Sequence, residues 1–522
     1  MKKLLLFTTV LTLFLSTACQ KINADSDTGI DMNSSLTDSD TDKDTTTIPP
    51  LDASVPDIVL EDFSYKIEAE DIEISDSLKI EDTKKGFSGD GYITNFVEKT
   101  SQIEFEVEIP QNQHYDIEIT ISSTAKKNNQ IYLNNEIVSE IISSGKDGYE
   151  KIIIENVFIN KGKAKITLKA VMGGIDIDCF EIKDNPTLSK NETTPTKYPI
   201  NTNSNTTTRN ILKYLVENNG KKFLSGQYVS IDSNREIELI YETTGKYPAL
   251  RGGDMIGYTS NTIKGTDDVG EAIKWSRKGG LVSYVWHWES PDEKSSYYSD
   301  ITDFRISQII TDENIALKSI EELEKMQQNG EIDKKLVDLI KDIDTISLHL
   351  SRLQDNGVTV LWRPLHEASG KWFWWGADGK EKYFWLWDLL YERQTHYHKL
   401  NNLLWVWNAQ NEDWYVGDDK CDIISADVYD NNINTSSQAN TYSNMANISS
   451  KKLIALSECD TPPDINFMLR DKAKWSWFCV WSGDYIMNDF GELVESYTTK
   501  KRLIEIYNHI NTITLDNLPD FR

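Results

Sequence analysis

Two rhythms of apolar and polar positions divide the chain. Between residues 63 and 184, short segments carry an apolar residue at nearly every second position: "SQIEFEVEI", "HYDIEITIS", "NQIYLNNEIV", "YEKIIIENVFI", "GKAKITLKAV" and "IDIDCFEIK". Gly, Asn and Lys turns separate them. Period-two alternation at this spacing predicts an all-β sandwich of about 120 residues. From about residue 207 the rhythm changes to apolar strands alternating with helical stretches. The strands are "KFLSGQY" (222–228), "YPALRGGD" (247–254), "GGLVSYVWHW" (279–288), "VTVLWRPLHE" (358–367), "LLWVWNAQ" (403–410), "CDIISADVYD" (421–430), "KLIALSECD" (452–460) and "WSWFCVW" (475–481). Helical-period segments such as "EAIKWSRK" and "LVDLIKDIDTISLHLSRLQDNG" lie between them, the latter with a stop at Asn356-Gly357. Eight strand–helix units in about 315 residues predict a (β/α)8 TIM barrel, with its largest insertion between the third and fourth strands.

The expected organisation is therefore multidomain, with a jelly-roll-like sandwich at 57–185 followed by an α/β barrel at 207–522. The N-terminus "MKKLLLFTTVLTLFLSTACQK" has two lysines and then an apolar run too short for a resident membrane helix, which marks residues 1–19 as an export signal. Leu15-Ser16-Thr17-Ala18-Cys19 resembles a lipoprotein cleavage box with Cys19 as the lipidated residue, although Ser16-Thr17-Ala18 also fits ordinary cleavage. The expected location is the cell surface, with secretion as the alternative. Residues 20–56 are rich in Asp, Ser and Thr and read as a disordered tether. Residues 186–206 read as a second polar linker.

Composition narrows the function. Of the 522 residues 39% are hydrophobic, enough for a sizeable core, and the formal net charge of −28 argues against nucleic acid or an anionic membrane surface. A membrane contact is expected only through the lipid anchor. The 15 Trp and 23 Tyr suit a neutral glycan, whose apolar C–H faces stack on aromatic rings. Cys179, Cys421, Cys459 and Cys479 lack metal-ligand spacing and read as buried free thiols.

In a barrel of this kind the working face is at the C-terminal ends of the strands. The residues there are Asp254, His287, Trp288, His366, Glu367, Asn408, Asp427, Tyr429, Glu458 and Trp481. Polar groups after apolar strands are costly to bury unless paired, and a ring of them is hard to explain by stability alone. Glu367 ends strand four and Glu458 ends strand seven, across the mouth from each other. Two facing carboxylates are what glycoside hydrolysis with retention uses, one as acid and base, the other as nucleophile. Arg363, His366 and Tyr429 are candidate donors to the nucleophile, and Trp372, Phe373, Trp374 and Trp375 a candidate floor for a sugar chain.

"LWRPLHEASGKWFWWG" and "IALSECD" resemble the acid/base and nucleophile motifs of glycoside hydrolase family 26, best known for β-mannanases. "FLSGQ", "PALRGGDM", "GGLVSYVWHW", "WVWN" and "DVYD" follow in that family's order. The resemblance implies Glu367 as acid/base and Glu458 as nucleophile, with Arg363 and Asp427 in support. It places His287 and Trp288 on the glycone side and His366 near the reacting sugar. Tyr429 would hold the nucleophile, and Trp372 and Trp481 would line subsites. Ser482 stands where some members carry an arginine. "YKIEAEDIEI", "GFSGDGYITNF" and "GIDIDCFEI" resemble carbohydrate-binding modules of family 35, which implies a structural calcium on Glu68, Glu70 and Asp178, oxygen ligands suited to that ion. The expectation is a monomeric, exported endo-β-1,4-mannanase acting on β-mannan, with no cofactor for catalysis. Mixed-linkage β-glucan or β-1,3-xylan remains an alternative substrate, and a non-catalytic glycan-binding lipoprotein an alternative class.

Overall fold

The structure, a computed structural model, describes residues 62–97, 99–185, 193–260, 263, 265–292, 294–430 and 434–522. The export signal, the tether and Cys19 lie outside the described residues. No described helix is long and apolar enough to cross a membrane.

The first part is a sandwich of two antiparallel sheets. Its strands are β1 (Ser64–Glu68), β2 (Lys79–Glu81), β3 (Tyr92–Thr94), β4 (Gln102–Ile109), β5 (Gln113–Ser122), β6 (Asn128–Leu133), β7 (Glu136–Ile142), β8 (Tyr149–Ile159), β9 (Gly162–Lys169) and β10 (Asp176–Asp184). One sheet runs β2-β3-β10-β5-β8 with β1 also on β10; the other runs β4-β9-β6-β7. In β4 exposed and buried residues alternate strictly, so Ile103, Phe105, Val107 and Ile109 face the shared core. "NQIYLNNEIV" is not one strand but a hairpin. Asn134 and Asn135 both have positive φ, 51° and 70°, which fits the type I′ turn that joins twisted strands.

The second part is a closed parallel barrel. Its strands are β11 (Phe223–Tyr228), β12 (Leu250–Asp254), β13 (Leu281–Val285), β14 (Val360–Arg363), β15 (Leu403–Trp407), β16 (Ile423–Val428), β17 (Leu453–Cys459) and β18 (Trp477–Val480). Each pairs in parallel with the next, and β11 closes the ring on both β12 and β18. A short β19 (Thr512–Ile513) adds to β11. Helix Lys334–Asp355 is capped by Asp333 at its start, and Gly357, with φ 72°, follows its end, as the sequence anticipates.

Alternation along each strand sorts side chains between two cores. Leu224, Tyr228, Leu250, Val285, Leu361, Val406, Ile423, Ala455 and Cys479 fill the barrel interior. Val282, Tyr284, Trp286, Trp362, Trp405, Trp407, Ile424 and Leu456 belong to the core between strands and helices. The inward parity carries on beyond the strand ends and decides which residues reach the mouth. The stretch that reads as a linker is in its described part tied to the barrel: Thr194 and Thr196 donate backbone N–H groups to Ser450 and Lys451, and Ile200 donates to Asp422. The sandwich is also fastened to the barrel. Asp471 Oδ1 accepts the Phe158 N–H at 3.0 Å, and His114 Nε2 meets the Asp471 carbonyl.

Candidate active site

Inward parity brings Tyr228, Asp254, His287, Arg363, Asn408, Asp427, Tyr429 and Trp481 to the mouth from seven strands. Glu458 would not reach it by alternation alone. Ile454 and Leu456 face the helices, and Glu458 shares their parity. The register against both neighbouring strands shifts here: Leu456 pairs with Ala426 and Phe478, but Glu458 pairs with Asp427 and Cys459 with Val480. The extra residue is a β-bulge around Ser457, and it turns Glu458 inward. Bulges commonly re-aim a side chain beside a functional site.

Glu367 arrives differently. Strand β14 stops at Arg363, because Pro364 has no N–H for the ladder. Glu367 lies four residues beyond, not at the strand's end as the sequence suggests. Leu365 and Glu367 both have φ of 52°, a left-handed conformation that non-glycine residues rarely adopt and that tends to persist at functional sites. The turn is held by the Glu367 N–H, which donates to the Asn408 carbonyl at 2.7 Å, and by the Trp375 indole N–H on the His366 carbonyl at 2.8 Å.

Carboxylate oxygens of Glu367, Asp427 and Glu458 lie within 4.8 Å of one another. A fully buried arginine sits beneath them. Arg363 donates through Nη1 to Asp427 Oδ2 at 2.7 Å and Asn408 Oδ1 at 3.2 Å, and through Nη2 to Glu458 Oε1 and to the Tyr228 hydroxyl at 3.2 Å. The Tyr429 hydroxyl donates to Glu458 Oε2 at 2.6 Å. Glu458 thus accepts from a guanidinium and a phenol, a donor set that suits an acceptor-only carboxylate. His366, the third candidate donor, is not among the groups on Glu458. Asp427 also accepts from Asn408 Nδ2 at 3.0 Å.

Burial, and then the charge of Glu458, raise the carboxyl of Glu367; burial likewise raises Asp427. Three carboxyls so close to one guanidinium cannot all be charged cheaply, which is why Glu367 and Asp427 are both pushed upward. Both oxygens of Asp427 are engaged by donors, Arg363 and Asn408. The Trp372 indole N–H steadies Glu367 Oε2 at 3.0 Å.

The two histidines are pushed in opposite directions. Burial lowers His287, but Asp254 on its Nδ1 at 2.6 Å outweighs burial and raises its pKa. His366, packed edge-on to His287 at 4.6 Å between ring centroids, is held well below the ordinary range by burial and by its neighbours His287 and Arg363. Its Nδ1 has no partner among the described residues.

The aromatic floor is smaller than the sequence suggests. Trp372 is 44% exposed, but Phe373 is buried, and Trp374 and Trp375 are fully so. Trp481 is half-buried, leaning on Tyr228 at 4.6 Å. Trp288 is no substrate-facing residue: it is fully buried, stacked on Trp286 at 4.0 Å, and donates its indole N–H to Asp342 on helix Lys334–Asp355. It shares the outward parity of Trp286, whereas His287 between them points to the mouth. Asp254, Asn408 and Tyr228 belong to the site although only the first two stand in the predicted ring; inward parity would have found Tyr228 as well.

In the sandwich, oxygens of Glu68 and Asp178 lie within 4.8 Å of each other and of the Cys179 sulfur. Ser88 bridges them, its hydroxyl donating to Glu68 Oε2 at 2.8 Å and its N–H to Asp178 Oδ1 at 2.7 Å. Glu70 is beside this cluster but not in it. Its Oε1 accepts the N–H groups of Asp90 and Gly91, while its Oε2 is buried without a partner among the described residues. Oxygen donors with one orphaned acceptor fit a hard cation. The four cysteines are free and buried.

A closed parallel barrel with facing carboxylates in its mouth, an arginine beneath them and an exposed indole beside them defines a glycoside hydrolase. The model of glycosyl hydrolase family 26 matches residues 200–517, and that of carbohydrate binding module (family 35) matches residues 65–185. The chain belongs to glycoside hydrolase family 26 and carries a family 35 module ahead of its barrel. It is 33% identical over 466 residues to a mannan endo-1,4-beta-mannosidase of Thermothelomyces thermophilus, covering 86% of this chain and 90% of the relative. It is 32% identical over 454 residues to mannan endo-1,4-beta-mannosidase B of a Piromyces species, covering 84% and 74%. The crystal structure of a Podospora anserina GH26-CBM35 beta-(1,4)-mannanase matches with a TM-score of 0.58 at 32% identity, over 88% of this chain and 99% of that one.

Proposed function

We infer that the protein is an endo-β-1,4-mannanase that cleaves mannan-type polysaccharide with retention of configuration. Glu367 protonates the leaving oxygen while Glu458 attacks the anomeric carbon. Glu367, now a carboxylate, then takes a proton from the water that releases the glycosyl-enzyme. The observation that supports these roles best is the asymmetry of the pair. Glu458 is gripped by Arg363 and Tyr429, whereas Glu367 has a raised pKa and touches an exposed indole. His287 and Trp481 line the same mouth. The substrate assignment follows the named relatives and the family. Its test is product analysis on mannan, mixed-linkage β-glucan and β-1,3-xylan side by side: the reading expects mannooligosaccharides of mixed length from the first, and fails if either other glycan is preferred.

The chemistry uses no cofactor. Glu68 and Asp178, with the orphaned oxygen of Glu70 brought in from beside them, would hold a calcium ion in the sandwich, where it would support stability rather than turnover, since the cluster lies in the module and not the barrel. The protein works as an exported monomer, lipidated at Cys19; the Cys19→Ser protein should pass from the membrane fraction into the medium, and wild type found wholly in the medium would overturn the anchor.

A further inference from the structure

The barrel's largest insertion, between β13 and β14, returns to the mouth as a strap along the loop that carries Glu367. Tyr298 pairs with Phe373 in an isolated antiparallel bridge, and the Trp374 N–H donates to the Tyr297 carbonyl at 3.1 Å. Ser299 bonds to two adjacent residues of that loop. Its N–H donates to the Trp372 carbonyl at 2.7 Å and its hydroxyl to the Lys371 carbonyl at 2.8 Å. Arg305 fixes the strap in turn. It donates through Nη2 to the Ser299 carbonyl at 2.9 Å, and through Nη1 to the carbonyls of Thr302 and Phe304 at 2.9 and 2.6 Å.

These bonds fall where the loop's backbone needs them. Glu367 and Lys371, on either side of the turn Ala368–Gly370, both have positive φ, 52° and 61°. A left-handed conformation at a non-glycine residue persists only where its surroundings over-determine it. Asn408 and Trp375 hold the Glu367 end, and Ser299 holds the Lys371 end. The next residue is Trp372, whose indole N–H reaches Glu367 Oε2 at 3.0 Å although the residue is 44% exposed. Core packing alone cannot fix a ring so open to solvent. Its second support is Gly370: a Cβ there would overlap Cζ3, Cη2 and Cε3 of the indole, so the ring occupies the space that a side chain would take. An indole nitrogen only donates, so the carboxyl oxygen it meets is an acceptor, which favours the acid's proton on Oε1.

We propose that Ser299 and Gly370 are positioning residues that hold the Trp372 indole on Glu367, and so fix the carboxyl oxygen that delivers the proton to a poor leaving group. The proposal rests on the reading of Glu367 as the acid. It adds one residue from the insertion and one from the turn, both acting through Trp372.

The test measures kcat/KM on phenyl and dinitrophenyl β-mannobiosides. Dinitrophenolate leaves without a proton, so only the phenyl substrate needs the acid. The ratio of dinitrophenyl to phenyl should rise about tenfold in Gly370→Ala and about threefold in Ser299→Ala, a part of what a positioned acid contributes. It should keep its wild-type value in Ser299→Thr, which retains the hydroxyl. Trp372→Phe, which keeps a ring and loses the N–H, should raise the ratio at least as far, and adding Gly370→Ala to it should change nothing more. A wild-type ratio in Gly370→Ala, or an equal loss on both substrates, overturns the inference; the second outcome is what a residue that only supports the fold gives. A wild-type ratio in Ser299→Ala overturns the part of the strap. If Gly370→Ala does not melt cooperatively, Ser299→Ala and Ser299→Thr decide alone. Failure of the functional reading shows separately. Glu367→Ala with an equal loss on both substrates removes the acid, and a wild type that cleaves neither removes the mannoside, in which case the same aryl pair is made on the glycan that it does cleave.

Discussion

The barrel mouth and the edge of the sandwich each gather acidic groups within 4.8 Å: Glu367, Asp427 and Glu458 in one, Glu68 and Asp178 with the Cys179 sulfur in the other. They differ in where the opposing charge sits. In the barrel it is Arg363, fully buried and fixed from below by strand β14. In the sandwich it is Lys66, 41% exposed, on a flexible stem that meets Glu68 at 2.7 Å. A built-in guanidinium makes the cluster permanent, and burial raises the carboxyls of Glu367 and Asp427. An exposed ammonium on a long stem is held less firmly. Similar clustering of acids thus stands on a fixed guanidinium in one place and on a surface ammonium in the other.

The largest expected effect is on the nucleophile. Glu458→Gln keeps size and loses charge, so turnover should fall by at least about a thousandfold while the melting curve stays cooperative. Near-normal turnover in a folded Glu458→Gln protein would count against the role. Arg363→Met leaves Asp427 and Glu458 buried without their partner, and a denaturant titration should show a loss of about 3–5 kcal/mol. Lys66→Met, its counterpart in the sandwich, should cost no more than about 1 kcal/mol, as exposed pairs do. Equal costs at the two sites would remove the contrast.

Calcium gives a smaller effect. A chelator should lower the melting temperature of the full chain by a few degrees, because an ion bound only by the folded state stabilises it. Glu68→Ala should abolish that sensitivity, and a chelator without effect on the wild type would sink the site. The smallest effect concerns Glu367. Its folded pKa is raised, so the folded state holds a proton that the unfolded chain gives up. Stability is therefore lost as pH rises from the ordinary carboxyl range, about 4.3, through the raised value. Glu367→Gln should melt slightly higher than the wild type near neutral pH and show no gain well below about pH 4. A gain that persists in acid would mean that repacking, not charge, is responsible.

Much of this is legible in the residues. All eight barrel strands follow from apolar runs, and both glutamates stand in the polar stretches that close them. Other features do not, for definite reasons. The bulge at Ser457 is a backbone event that no alternation pattern in "IALSECD" reveals, yet without it Glu458 would face the helices. The left-handed turn at Leu365 and Glu367 falls on residues with no preference for positive φ, and tertiary bonds from Asn408 and Trp375 support it. Trp288 differs for another reason. Its parity with Trp286 is visible in "VSYVWHW", but its place at a strand end points to the mouth while its direction points away. The sandwich hairpin turns on two asparagines, which sit inside a run whose apolar residues alternate as in one strand.

The central claim is that the carboxylate cluster performs two displacements at one anomeric carbon. Proton NMR during the first minutes of mannooligosaccharide cleavage, before mutarotation, reads this directly. Two displacements should give the new reducing end first as the β-anomer, with the α-anomer growing in later. An initial α-anomer would mean a single displacement by water, and Glu458 could not then be the nucleophile.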